Sequence, residues 1–176
     1  MTAPPMSHPL VDQLRFARSE FRRGLEGLSD EDARKRLLPM NSIGWMIGHM
    51  AWHEQLYFLR RGRGLMVRPD LDTLVGFGQP ASTPPLDDMW AAWTAVTEAA
   101  EPWLVGQTTE SLQRRMDHDE RADPPSAGTM LQRVIYHYWA HAGESTAVRQ
   151  LLGHANVPEF PGPIESQSPY RPERPG

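Results

Sequence analysis

Along four stretches of the chain, apolar residues recur at steps of three and four, and the segments between them are long, polar and rich in glycine or proline. Leu10, Leu14, Ala17, Phe21, Leu25 and Leu28 trace the first stripe, with Arg15, Arg18, Glu20, Arg22 and Arg23 largely on the other side. This predicts an amphipathic helix from about Pro9 to Gly27. Ser29 before Asp30, Glu31 and Asp32 has the form of an N-cap with an acidic first turn, opening a short helix that ends near Pro39. A second long helix is capped by Asn41 or Ser42 and stopped by Gly62 and Gly64, and it carries Trp45, His49, Trp52 or His53, and Leu56 on one side. A third enters through Thr83, Pro84 and Pro85 and places Leu86, Met89 or Trp90, Trp93, Val96 or Thr97, Ala100 and Trp103 on its stripe. Pro102 is expected to kink or end it. The fourth runs from Thr129 to Gly153, where Met130, Val134, His137, His141, Glu144, Val148 and Leu151 mark the inward face. Gly153 is its left-handed stop, and Arg149 suits the negative end of its dipole.

The connections are unusual. Residues 61–85 hold four glycines and four prolines, and a link of that length in a compact domain often serves as a lid or crossover. TTESLQRRM is a brief amphipathic piece before the loop DHDERADPPSAG. From His154 onward six prolines (158, 161, 163, 169, 172 and 175) predict an extended tail. No strand pattern or solenoid repeat is present. The expected fold is all-α: a four-helix bundle with long connecting loops and an extended Pro-rich C-terminal tail, in a single domain spanning 1–176 with 1–8 and 157–176 extended or partly disordered.

A chain of 176 residues buries roughly 70% of the surface its unfolded form exposes, so its core needs no staple. It has no cysteine, which removes disulfides, thiolate ligands and cysteine nucleophiles together and agrees with a cytoplasmic location. Any metal site must use His, Asp or Glu. No apolar run reaches the ~18 residues of a membrane span, and MTAPPMSHP has neither a basic start nor an apolar core, so neither membrane insertion nor secretion is expected. The net charge of −4, with arginines interspersed among acids, shows no basic face for nucleic acid.

The chemistry lies in the histidines. His137 and His141 stand at i and i+4, one above the other on a helix face, close enough for both imidazoles to bind one ion. Two inward imidazoles and Glu144 are costly to bury unless each finds a partner. His49, with His53 as its rival one turn on, can bring a third imidazole from the second helix. Three neutral imidazoles leave an open position on a borderline divalent ion such as zinc or nickel. Such histidines also occur as hydrogen-bonded core residues. Asp117, His118 and Asp119 form a rival acidic cluster, of a kind usually just solvated. Other sites fail on spacing: no glutamate stands three residues before His137 or His141 for a di-iron bundle, and His53-Glu54 is followed by Tyr57 where a zinc protease needs its second histidine. No G-x-S-x-G, G-x-G-x-x-G or Walker pattern occurs.

The segments NSIGWMIGHMAWHEQ and YHYWAHAGESTAVRQLLGH resemble the DinB/YfiT-like superfamily of metalloenzymes, whose three-histidine motif falls on His49, His137 and His141. The resemblance extends from the first helix to about Pro163. It implies a four-helix bundle of DinB/YfiT type, commonly a homodimer, holding zinc or nickel, and a thiol-dependent S-transfer or isomerisation with mycothiol or bacillithiol as thiol co-substrate and a small-molecule electrophile as partner. With three ligands supplied, His53 is expected beside the ligands, in support of them or of catalysis, or at the boundary of the bundle rather than as a ligand, and Glu144 either orients a ligand imidazole, acts as a base, or pairs with an arginine. Trp45, Trp52 and Trp139 are expected to pack, some of them beside the metal. A hydrolase using the same metal, and a non-catalytic metal-binding or stress-related interaction protein, are the alternatives.

Overall fold

The structure, a computed structural model, describes residues 7–171. Helix α1, Pro9–Gly24, starts with Pro at its first position and with the His8 ring accepting from the Leu10 N–H at 3.1 Å. It stops three residues short of the expected end, in a turn whose Gly27 has φ +71°. Helix α2, Asp30–Arg34, is capped by Ser29, whose hydroxyl accepts from the Asp32 N–H. Helix α3, Ile43–Glu54, is capped in the same way by Ser42. It continues without a break as a π-helix over Gln55–Arg61, a widening often found at functional sites. Gln55 then pins the following loop, its amide accepting from the Val67 and Arg68 N–H groups and donating to the Arg68 carbonyl.

The long connection carries helix α4, Leu71–Leu74. Helix α5, Leu86–Val105, does not end at Pro102, which lies inside its last turns; so close to the end, the missing N–H removes one bond rather than the helix. Helix α6, Thr109–Gln113, opens with a reciprocal Thr108–Ser111 cap. Helix α7, Ala127–Leu151, capped by Ser126, is the longest among the described residues. Helix α8, Ile164–Gln167, interrupts the tail that was expected to be extended.

The four long helices pack as two pairs, α1 with α7 and α3 with α5, joined where α3 meets α7. The expected all-helical fold is thus the observed one. Phe21, Phe58, Tyr138, Met46 and Met50 are fully buried at its centre, each contributing about 1.5–3 kcal/mol by leaving water. Gly44 allows α3 to approach its neighbours closely, because a Cβ there would lie 2.8 Å from the Pro84 carbonyl oxygen and 3.3 Å from that of Ala33.

The stripe pattern fails in three places. Arg18 and Glu20, assigned to the outer face of α1, are buried. Arg18 binds both oxygens of buried Glu54 and donates to Glu101 at 2.8 Å, while Tyr138 donates to Glu54 at 2.5 Å and accepts from Trp93 at 2.8 Å. Pairing offsets the desolvation that would otherwise hold such groups outside. Glu20 takes Arg23 and, at 2.5 Å, the Gly162 N–H of the tail. The third departure is Leu151, expected inward but 67% exposed on the last turn of α7. The tail lies on the body: Phe160 packs against Trp139, and Arg23 donates to the Glu159 carbonyl at 2.7 Å. Pro172, Pro175 and residues 1–6, which the extended-terminus expectation included, lie outside the described residues. Among the described residues no helix is long and apolar enough to cross a membrane.

Candidate metal centre

The junction of α3 and α7 brings the predicted histidines together. His49, buried on α3, is stacked on Trp45 with ring centroids 4.3 Å apart and planes 12° apart. Its Nδ1–H donates to the Val75 carbonyl just beyond α4, at 2.8 Å. That bond selects the tautomer with a lone pair on Nε2. On α7, His141 holds its Nδ1–H against Glu144 Oε2 at 2.8 Å, which again leaves Nε2 free, and this nitrogen lies 2.9 Å from His137 Nε2. The His49 ring stands 5.1 Å from that of His137 and 5.5 Å from that of His141. One ligand atom from each of the three residues lies within 4.8 Å of the others, a group that could hold a metal ion.

The electrostatics favour neutral rings. Burial, opposed by the bond to Val75 and aided by the neighbouring imidazole of His141, lowers the pKa of His49 to about 4. Burial together with the adjacent imidazoles takes His137 to about 3 and His53 to about 2. The rings are therefore unprotonated at neutral pH, the form that binds a metal. His137 also carries a mismatch, since its Nδ1 is buried with no hydrogen-bond partner. If the proton sits there, two Nε2 lone pairs oppose each other at 2.9 Å, and a cation against both relieves the opposition. Three such donors fit a borderline divalent ion.

The remaining predicted residues fall around this group. His53 is buried beside the ligand histidines: its ring lies 4.1 Å from that of His137, edge to face, and among the described residues its Nδ1 has no partner. Glu144 meets His141, not an arginine. Trp45 and Trp52 flank His49, whereas Trp139 packs against Phe16 and Phe160 away from the site. The rival acidic cluster does not assemble. Asp119 is taken up by Arg121, and among the described residues the three histidines are the one group of metal-ligating side chains.

A cavity of about 820 Å³ opens beside the histidines, with His49, His53 and His137 in its wall, within the range of small-molecule sites. Trp52, Leu56, Tyr57 and Phe77 supply apolar wall, and Arg133 and Tyr136 come from α7. The helical pattern contained a signal for Arg133, which precedes His137 by four residues and so shares its face. It contained none for Val75 or Phe77, which lie in the connection.

An all-helical bundle that gathers three imidazoles from two helices beside a cavity with apolar walls is a candidate metal-binding protein. The chain matches the DinB superfamily over residues 13–145, from α1 into α7, and belongs to it. No match to a curated protein is found.

Proposed function

We propose that this protein is a divalent-metal-dependent enzyme that transfers a low-molecular-weight thiol to a small electrophile, with zinc or nickel held by His49, His137 and His141. The observation that carries the reading is the convergence of three ligand atoms within 4.8 Å, two of them from residues, His49 and His137, that also line a cavity of about 820 Å³. Three protein donors leave a coordination position free for a reactant, whereas a structural site is closed by four. A cation held there supplies Lewis acidity that lowers the pKa of a thiol and favours the nucleophilic thiolate.

The chain's own residues do the rest. The Val75 carbonyl and Glu144 fix the tautomers of His49 and His141, so that each keeps its Nε2 lone pair free for a cation. Glu144 therefore acts as an orienting group rather than as the base. Burial keeps His49, His53 and His137 unprotonated, so acid does not compete for the ligand nitrogens near neutral pH. Trp52, Leu56 and Tyr57 hold the apolar part of an electrophile and exclude water. The thiol gives its proton to solvent and its sulfur forms the new bond to carbon, while the electrophile either releases a leaving group with its bonding electron pair or, at a double bond, takes up a proton from solvent on the neighbouring carbon.

The test supplies mycothiol, bacillithiol or glutathione with a panel of alkylating and unsaturated electrophiles. Conjugation or isomerisation should require the thiol, cease on chelation, and be lost in His141→Ala. A metal-loaded protein inert across the panel would point instead to a non-catalytic binding module.

A further inference from the structure

Arg133 is conspicuous among the cavity residues. It lies on α7 one turn before His137, and among the described residues it makes no hydrogen bond or ion pair, unlike Arg18, Arg23, Arg68 and Arg121. Among the described residues no aspartate or glutamate lines the cavity. Arg133 is itself exposed, and an unpaired guanidinium at the rim of a cavity with apolar lining is shaped to take a carboxylate through two parallel N–H bonds. Two aromatic rings at the same cavity stay largely in water, Phe77 at 85% and Tyr136 at 67% exposure. Rings left exposed around a concave site, with Trp52 and Tyr57 deeper in, are suited to cover a flat apolar body.

We propose that Arg133 is the specificity-determining residue of this cavity, and that the electrophilic substrate is an organic anion, a carboxylate or similar group attached to an aromatic or apolar body. The assignment to the electrophile rests on the S-transferase reading; the preference for an anion does not. Arg133 grips the charged end while the aromatic side chains hold the body, which places the far end of the molecule toward the imidazoles. Trp52, Leu56, Tyr57 and Phe77 give the cavity its apolar lining, a match for the body of the electrophile rather than for a polar thiol.

The experiment measures binding of 2-naphthoate and its neutral isostere 2-naphthamide by calorimetry, on chelator-treated full-length protein so that no metal takes the carboxylate. The wild type should prefer naphthoate by about 10-fold, the scale of one charge-assisted hydrogen-bonded contact, and salt should weaken that preference. Arg133→Ala should bind both ligands as the wild type binds the amide, Arg133→Lys should keep part of the preference, and His141→Ala should keep all of it. Because Arg133 has no partner among the described residues, its substitution should leave thermal unfolding of the protein unchanged. Arg133→Gln repeats the test with a longer side chain should the alanine variant fold poorly. Equal binding of the two ligands by the wild type, or a preference that survives Arg133→Ala, would overturn the proposal. Discrimination between 3-mercaptopropionate and 2-mercaptoethanol, with none within the naphthyl pair, would place the anion on the thiol and equally overturn it. Loss of metal binding in a protein that still prefers naphthoate would remove the S-transferase reading and leave Arg133 as an anion-binding residue.

Discussion

Replacing Glu144 should weaken metal binding before it affects anything else. Its Oε2 accepts from His141 Nδ1 at 2.8 Å, on a partly buried side chain, so the carboxylate both orients the imidazole and raises the basicity of the nitrogen that faces His137. A hydrogen bond to a charged group contributes about 1.5–3 kcal/mol and one to a neutral group about 0.5–1.5 kcal/mol. Glu144→Gln keeps an acceptor and loses the charge, a difference of about 1 kcal/mol or somewhat more, which is a ~5- to 10-fold loss of affinity. Glu144→Ala removes the acceptor as well and should approach the ~100-fold upper end for such supporting residues. The assay is competition for zinc against a chromophoric chelator at pH 7.5, for the wild type and both variants. Graded losses, Ala greater than Gln, are expected, with activity restored at saturating metal. Unchanged zinc affinity with a rate reduced ~100-fold or more would refute the reasoning and make Glu144 a general base.

In metal-free protein, acid should destabilise the fold early. His49 and His53 have folded pKa values of about 4 and about 2, below the unfolded ~6.5. Above pH 6.5 they contribute nothing; below it the unfolded chain gains protons that the folded one refuses, and stability falls by ~1.4 kcal/mol per pH unit for each. Denaturant melts between pH 6.5 and 5 should show this slope and a shallower one in His53→Gln; a flat profile would contradict it. Gly44→Ala should lower the melting temperature by about 4 °C, because overpacking against two backbone carbonyls costs ~1–3 kcal/mol and exceeds the ~1 kcal/mol gained in helix propensity. An unchanged or raised midpoint would refute it. Light scattering at micromolar concentration should return about 40 kDa, twice the 19.9 kDa chain, for the expected homodimer; a mass near 20 kDa would count against it.

What the sequence made legible follows from periodicity and local chemistry. The helix starts at Ser29, Ser42 and Pro85 need only a capping hydroxyl or an N-terminal proline, and they lie where expected. His137 and His141 required only a continuous helix, and His49 needed that helix to face another. The misses involve partners distant in the chain. Arg18 reads as a surface residue until Glu54 stands opposite it, 36 positions away. Glu20 reads likewise until the tail returns to it at Gly162. The Val75 carbonyl that orients His49 has no side-chain signature at all. The π-helix of Gln55–Arg61 is equally invisible, since its residues follow the same apolar pattern as an α-helix to within one position. Whether His53 stands beside the ligands or at the boundary stays open in the sequence, because a motif completed by three ligands says nothing about the burial of a further histidine.

The central claim is that His49, supplied from a helix 88 residues (137 − 49) before His137, completes a metal site with the pair on α7. Calorimetric titration of zinc into chelator-stripped wild type and His49→Ala tests it most directly. The account predicts one equivalent per chain in the wild type and at least ~100-fold weaker binding in the variant, in line with the loss of one of three ligands. A wild type that takes up no zinc, or a His49→Ala protein that binds it equally well, would contradict the account.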